Sequence, residues 1–366
     1  MKRSFAWTFA ICGIAIATAL FTIVLSIASH LTATAEQSAG IAQYGQPITI
    51  EANRFSLDPR QPKRKKFGKL LWQSGIVLSS SFRNFGGFSG LEINKNGTHL
   101  IAVTDRGAWL TANVTYKGRQ LDGLKNARFG QLLGPKGTPL IDKVNTDAEG
   151  LVAFSRKGEG GTLLVSFERR HRIRKYAFTK HGVARQIGAI GLPRATKQLN
   201  WNRGLEGLAV IRKGRLNGTI VAIAERRVDK SGALTGWLVG GPTPGIIRIK
   251  RLNGFDVTDL TTLPDGDLLL LERRFRKSAD IRMRIRKIAK KDLRRGAGPI
   301  VGEILFEGNW ALTIDNMEGI AAHVGPSGET VITVISDDNF NFFQRTIMMQ
   351  FVLPNRTANV TVEKKS

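Results

Sequence analysis

Residues 147–169 read DAEGLVAFSRKGEGGTLLVSFER, and two short motifs frame the apolar runs of this stretch. The first motif is an acid followed by glycine and an apolar residue, here Glu149-Gly150-Leu151. The second motif is an acid that ends an apolar run, here Glu168. Three equal steps between the two acids indicate one repeated structural unit. The acids are 19 residues apart in the pairs Glu149 and Glu168, Glu206 and Glu225, and Glu318 and Asp337.

Two further copies of the unit are less complete. Ser89-Gly90-Leu91 comes before Asp105, and Asp259-Leu260, which lacks the glycine, comes before Glu272. The first motifs start at 89, 149, 206, 259 and 318, so they are spaced by 60, 57, 53 and 59 residues. A repeat of this size built from short strands is typical of a β-propeller with four-stranded blades. We therefore predict an all-β protein with five or six blades.

A strand-like segment from Leu70 to Leu78 precedes the first repeat. The last repeat leaves room for only about three strands before Pro354, one fewer than a blade needs. We therefore expect the N-terminal segment to complete the last blade. The propeller is predicted to span residues 66–353, with a basic linker at 36–65 and a C-terminal tail at 354–366.

The N-terminus has the features of a targeting segment. Lys2 and Arg3 precede an apolar run over residues 5–28, and Ala33-Thr34-Ala35 fits a cleavage site of small residues. Because the run is long enough to span a bilayer, residues 1–35 are predicted to be either a cleaved signal peptide or an uncleaved anchor in the inner membrane. Both interpretations place the propeller in the periplasm or outside the cell. Cys12 is the only cysteine, so structural disulfides, thiolate catalysis and cysteine zinc sites are excluded for the exported part.

The chain carries 55 Lys and Arg residues against 29 Asp and Glu residues, a net charge of +26. Such a charge attracts polyanions. We expect the partner to be an anionic small molecule or an anionic surface of the cell envelope. The alternative is a basic surface that only keeps the protein soluble. Nucleic acid is disfavoured as a partner, since export is predicted and no nucleic-acid-binding motif is recognisable.

The repeat is expected to place its acids at one end of the propeller. The first two strands of a blade form an antiparallel hairpin, so the start of one and the end of the next lie at the same edge. We therefore expect the acids of both motifs to gather around one mouth of the central channel, with the arginines that follow the second motif beside them. The acids are Asp105, Glu149, Glu168, Glu206, Glu225, Glu272, Glu318 and Asp337, and the arginines are Arg106, Arg169, Arg226 and Arg273.

Clustered carboxylates repel one another and resist ionisation unless a positive charge compensates them. Arginines could supply that charge as salt bridges that join neighbouring blades, with the glycines serving only tight turns. A hard cation such as Ca²⁺ could supply it instead, because Ca²⁺ prefers carboxylate and carbonyl oxygens. The fifth copy has a second acid in place of the arginine, which favours the cation. The predicted metal ligands are Asp105, Glu149, Glu206, Glu318, Asp337 and Asp338.

The order of these motifs resembles the phytase-like family, whose members are described as esterase-like proteins of the phytase family. The resemblance extends from about residue 66 to 353 and implies an exported propeller, six-bladed and related to calcium-dependent phytases. The D-A-x-D-D-P-A-hydrophobic-W stretch of those phytases is absent, so the resemblance guides the fold more than the reaction. The segments that carry it are residues 84–91, 103–107, 147–151, 167–169, 202–208 and 316–320.

Three functions fit these observations. The first is a metal-dependent hydrolase of phosphoric esters, with Glu149, Glu206 and Glu318 as catalytic residues and the four arginines as substrate ligands. The second is a calcium-dependent lactonase or carboxylesterase. A serine esterase is disfavoured because the chain has no G-x-S-x-G motif. The third is a non-catalytic propeller that binds anionic components of the cell envelope.

Overall fold

The structure, a computed structural model, describes residues 45–276 and 280–354. The predicted signal or anchor segment, and the predicted tail beyond Pro354, lie outside the described residues. Within this part of the chain, no helix is both long enough and apolar enough to cross a membrane. The described residues form a β-propeller of five blades. The predicted all-β propeller is therefore confirmed, with five blades and not the six that the family resemblance favours.

Each blade is an antiparallel sheet whose strands follow one another from the axis outward. Three short strands come first: β1 (Gln46–Pro47), β2 (Glu51–Phe55) and β3 (Lys66–Phe67). Blade one contains β5 (Phe88–Ile93), β6 (His99–Thr104), β7 (Ala108–Lys117) and β8 (Gln120–Gln131). Blade two contains β9 (Ala148–Lys157), β10 (Gly160–Phe167), β11 (Arg172–Thr179) and β12 (Gly182–Ile190). Blade three contains β13 (Leu205–Val210), β14 (Ile220–Val228), β15 (Ala233–Val239) and β16 (Gly245–Lys250). Blade four contains β17 (Asp256–Thr262), β18 (Leu268–Arg276), β19 (Asp280–Ile288) and β20 (Glu303–Asn309). Blade five contains β21 (Met317–Val324), β22 (Thr330–Ser336), β23 (Thr346–Leu353) and β4 (Leu70–Ser79).

Among residues 45–276 and 280–354, helical structure is confined to the connections. A single turn of α-helix, α1 (Lys143–Thr146), precedes β9. Short 3₁₀ turns lie at Arg194–Gln198, Gly214–Leu216 and Lys290–Asp292.

The two ends of the described chain meet in blade five. The N-terminal strand β4 pairs with β23 as the outer strand of that blade, with Thr346 opposite Leu78 and Val352 opposite Leu71. This closure was predicted, and it joins the N-terminal segment to the last blade by backbone hydrogen bonds. Part of the segment 36–65 is also paired: β2 lies along β4 and β1 along β8. The limits of the linker and the tail stay predictions.

The first strands of the blades contact one another around the axis, and glycine makes this close approach possible. A Cβ atom on Gly90 would lie 2.7 Å from the backbone oxygen of Glu149, and one on Gly150 would overlap the backbone oxygen of Glu206. Neither glycine has a positive φ. The glycine of the first motif therefore serves the packing of neighbouring blades and not a tight turn. In blade four Asp259 takes its place, and its carboxylate accepts a hydrogen bond from the Ile320 amide at 2.8 Å.

Candidate functional site

The first strands bring Glu149, Glu206 and Glu318 to the same position in blades two, three and five. Each precedes the glycine that packs against the next blade. In the other two blades this position holds a hydroxyl residue. Ser89 donates a hydrogen bond to the Ala148 carbonyl at 2.6 Å, and Thr258 donates one to the Met317 carbonyl at 3.1 Å. Asp259, the expected counterpart of the glutamates, therefore lies one residue further along.

The ends of the second strands supply a second set of side chains. In four blades, the acid at the end of the second strand donates its backbone N–H to the carbonyl of the residue that immediately precedes the first strand. These acids are Asp105, Glu168, Glu225 and Asp337. Blade four differs, because its glycine-to-acid spacing is one residue shorter than in blade three. In blade four, Glu272 is paired with Val257, and in blade three Ala224 is paired with Leu205. Glu272 is therefore at the strand position of Ala224 and not at that of Glu225. Arg273, and not Glu272, therefore occupies the acid position.

The expectation that Glu272 lies at the mouth is wrong. Neighbouring residues of a strand point to opposite faces of the sheet, so the one-residue shift places Glu272 on the face opposite to that of Arg273. Glu272 is fully buried between Arg284 and Arg286, which are also fully buried. These two arginines belong to the third strand of the blade, β19.

The remaining acids and their neighbour Asp147 form a cluster that we call the acidic mouth. Its members are Asp105, Asp147, Glu149, Glu168, Glu206, Glu225, Glu318 and Asp337. Burial, and then repulsion between neighbouring carboxylates, raises the pKa of Glu149 and of Glu206 well above the usual range. Burial raises the pKa of Glu318 to about 7 and that of Asp337 to about 8. Glu168 and Glu206 share a side-chain hydrogen bond, which requires a proton on one of them. The predicted gathering of acids is thus present, and without a cation it retains protons near neutral pH.

Asp147, Glu149 and Glu168 form the tightest group in the acidic mouth. One carboxylate oxygen from each lies within 4.8 Å of the others, a spacing that suits ligands of one metal ion. Asp147 also forms ion pairs with Lys143 at 2.5 Å and with Arg169 at 2.6 Å. Asp147 and Glu168 were not among the metal ligands predicted from the sequence. The two-residue step from Asp147 to Glu149 was the available signal, because it places both side chains on one face of an extended chain.

The donor set fits a hard cation. All of the ligand atoms in the acidic mouth are carboxylate oxygens, which Ca²⁺ prefers. One oxygen of Asp105, Oδ1, is buried and has no hydrogen-bond partner among the described residues, while its Oδ2 pairs with Lys143 at 2.8 Å. Asp338 is less suited, because it accepts hydrogen bonds from the Gly87 amide at 3.1 Å and the Thr346 hydroxyl at 3.0 Å. These contacts shape the loop after β22, and a metal-binding role for Asp338 stays a prediction.

The four arginines expected beside the acids have different surroundings. Arg273 lies within the acidic mouth and pairs with Glu318 and Asn316. Arg169 pairs with Asp147. Arg226 donates through Nε to Asp256 at 2.7 Å, and Arg106 is exposed and stacks on the Phe340 ring at 3.3 Å. A substrate-binding role for each of them stays a prediction.

These features define a five-bladed β-propeller whose axial channel has a carboxylate-lined mouth. The chain belongs to the phytase-like family, described as having the esterase-like activity of phytase, and the match covers residues 83–340. None of the curated proteins matches the chain.

Solved structures resemble it at low sequence identity. An α-L-arabinofuranosidase from Podospora anserina is 13% identical, with 75% of this chain and 93% of that chain covered and a TM-score of 0.47. A gluconolactonase from Xanthomonas campestris is 10% identical, with 86% and 92% covered and a TM-score of 0.39.

Proposed function

We propose that this protein is a hydrolase of anionic esters, phosphoric esters first among them, and that it acts with a Ca²⁺ ion bound in the acidic mouth. The observation that carries the proposal is the group of Asp147, Glu149 and Glu168, with oxygens within 4.8 Å of one another, in a family described by an esterase-like activity. The high pKa values of the surrounding acids add support, because perturbed carboxylates are concentrated at functional sites.

Asp147, Glu149 and Glu168 would hold the ion, with Asp105 completing the set from blade one. A bound Ca²⁺ would supply a Lewis acid that polarises the ester and favours ionisation of water. Lys143 and Arg169 fix the orientation of the Asp147 carboxylate through their ion pairs.

Glu318 is the best-placed proton carrier of the acidic mouth. Its pKa of about 7 lets it accept and release a proton near neutral pH. Arg273 contacts the Glu318 carboxylate and the Asn316 amide oxygen, so its guanidinium is held where it can also bind an anionic oxygen of the substrate. Glu206, with its raised pKa, shares a proton with Glu168 and so reduces the repulsion between them.

The net charge of +26 would concentrate an anionic substrate around the protein. We place the protein in the periplasm or outside the cell, with the inner membrane as a partner if residues 5–28 remain as an anchor. The same charge supports contact with anionic components of the envelope.

The test compares three substrates, p-nitrophenyl phosphate, p-nitrophenyl acetate and a sugar δ-lactone, each with calcium and with chelator. We expect calcium-dependent hydrolysis of the phosphate ester, lost in Glu149→Gln and kept in Glu159→Gln, an exposed acid of the same blade. Hydrolysis of the lactone or acetate alone would select a lactonase or carboxylesterase. No hydrolysis of any substrate would leave a binding propeller and overturn the proposal.

A further inference from the structure

The end of the axis opposite to the acidic mouth opens into a second cavity, of about 630 Å³. The acidic mouth lies where the first strands begin, whereas this cavity is lined where they end. Each of the five blades contributes to it, with the lining residues Ile93, Val152, Val210, Thr262 and Val324. The cavity therefore lies on the axis and shares no residue with the acidic mouth.

Positive charge predominates in this cavity, which we call the basic cavity. Lys95, Arg156, Arg212 and Lys213 line it, and Glu92 is the one acid among the described residues that do. Arg156 lies 3.5 Å from Glu92 and donates a hydrogen bond to the Ile93 carbonyl at 3.2 Å. Lys95 and Lys213 are exposed. One carboxylate cannot compensate four cations, so the basic cavity attracts anions.

A buried histidine of the lining adds no charge to the basic cavity at neutral pH. His323 is 5% exposed, and its Nδ1 has no hydrogen-bond partner among the described residues. Burial lowers the pKa of His323 to about 4, so the imidazole is neutral at neutral pH and can carry a hydrogen on Nδ1.

The walls below the cations are apolar. Ile93, Val152, Val210 and Leu263 line the cavity and are themselves buried against the blades. A ligand that carried charge but no apolar group would make no apolar contact with these walls. A charged head group with a short apolar body would meet both parts of the lining, as is usual for small-molecule sites.

We propose that the basic cavity is a binding site for a small phosphate monoester or phosphonate with an apolar substituent. Lys95, Arg156, Arg212 and Lys213 surround its oxygens, and the ends of the first strands receive its apolar body. The proposal does not depend on the function proposed for the acidic mouth, because the two sites lie at opposite ends of the axis.

The test is calorimetric titration of the full chain, in the presence of chelator, with phenylphosphonate, which has no ester bond to hydrolyse. We expect one equivalent to bind, about tenfold or more tightly than inorganic phosphate, which lacks the apolar body. Benzyl alcohol, which lacks the charge, should bind no better than inorganic phosphate. Equal affinity for all three probes, or no binding of phenylphosphonate at roughly 10 mM, would overturn the proposal.

Matched variants separate this site from the general positive charge. Lys95→Gln/Lys213→Gln should weaken phenylphosphonate binding by about tenfold, whereas Lys125→Gln/Lys230→Gln should change it by less than about twofold. All four lysines are exposed, and the last two lie outside the basic cavity. Equal weakening by both double variants would show attraction to net charge alone. Glu149→Gln should leave the binding unchanged, and a loss there would move the probe to the acidic mouth.

Discussion

Arg273 of blade four pairs with Glu318 of blade five at the position where the other described blades place a carboxylate. Arg273 occupies this position because the step from Gly266 to Glu272 is one residue shorter than the corresponding step from Gly218 to Glu225 in blade three. It interacts electrostatically with Glu225, Glu206 and Asp337 as well as with Glu318. Arg273 therefore supplies from a neighbouring blade the compensating charge that blade five does not have in its own sequence.

Replacing Arg273 should strengthen cation binding. In Arg273→Gln the carboxylates lose a positive charge, so the pKa of Glu318 should rise above 7 and Ca²⁺ should bind about three to ten times more tightly at pH 8. Calcium titration measures the change. Arg170→Gln removes one exposed charge near the acidic mouth and should alter the affinity by less than about twofold. Weaker binding in Arg273→Gln would show that Arg273 positions the ligands.

The acids of the mouth should matter more to cation binding than to folding. Glu149→Gln, Glu206→Gln and Glu318→Gln resemble the protonated forms that the raised pKa values favour, so each variant should fold. Each should bind Ca²⁺ more weakly, by about tenfold or more. If all three unfold, with no effect on calcium binding by the fraction that stays folded, the acids only join blades.

Glu272→Gln provides the contrast from the same sequence motif. Glu272 is buried between Arg284 and Arg286, and removing its charge leaves the buried Arg286 without an acidic partner, whereas Arg284 keeps Glu307. Its free energy of unfolding should fall by about 3 kcal/mol or more, while calcium affinity is unchanged. Denaturant unfolding and calcium titration of the same preparation give both values. A loss of calcium affinity in folded Glu272→Gln would contradict the register of blade four.

Calcium should stabilise the fold. An ion that binds only the folded state contributes about 2.7 kcal/mol at a hundredfold excess over its Kd, which corresponds to several degrees in Tm. Thermal unfolding with excess calcium and with excess chelator measures this shift, and an unchanged Tm would remove the case for calcium. Asp337→Asn should reduce the shift. Asp338→Asn should lower the Tm but keep the shift, because Asp338 binds the Gly87 amide and the Thr346 hydroxyl.

The stability of the metal-free protein should depend on pH through Glu318 and Asp337. Their pKa values are raised to about 7 and about 8, so the folded state retains protons that the unfolded state has already released. Their contribution to stability is present below about pH 4 and is lost as the pH rises through 7 and 8. The Tm shift caused by calcium should grow over the same range, because protons compete with the ion. Melting curves from pH 5 to 9 test this, and an equal pH slope in Glu318→Gln/Asp337→Asn would contradict it.

The close packing of first strands predicts a cost for any side chain at Gly150. The Cβ atom of Gly150→Ala would overlap the Glu206 carbonyl oxygen, so the variant should lose about 1–3 kcal/mol of unfolding free energy. Gly191 lies in an exposed connection with open space around it, so Gly191→Ala should be nearly neutral. Denaturant unfolding compares the two variants. Equal stability would show that the blades can separate at no cost.

The sequence by itself determined the propeller and the identity of most residues of its acidic mouth. The equal step of 19 residues recurs because every blade repeats one antiparallel hairpin, and the hairpin necessarily brings Glu149 and Glu168 to one edge. The same counting assigned Leu70–Leu78 to the blade that lacked a strand, and β4 occupies that place. The repeat spacing and the strand count of each blade depend on local residue pattern and chain length, and both can be read directly from a sequence.

The tertiary structure decided which residue of each acid–arginine pair lies in the acidic mouth. Glu272 and Arg273 follow the same motif as Glu225 and Arg226, but a spacing one residue shorter exchanges their faces, because a strand alternates its side chains. The nearness of Asp147 to Glu168 likewise depends on the ladder between β9 and β10. The basic cavity is formed by residues from five blades, and these residues do not recur at a fixed spacing in the sequence. Contacts between blades are set by how the sheets pack, so only the folded chain shows them.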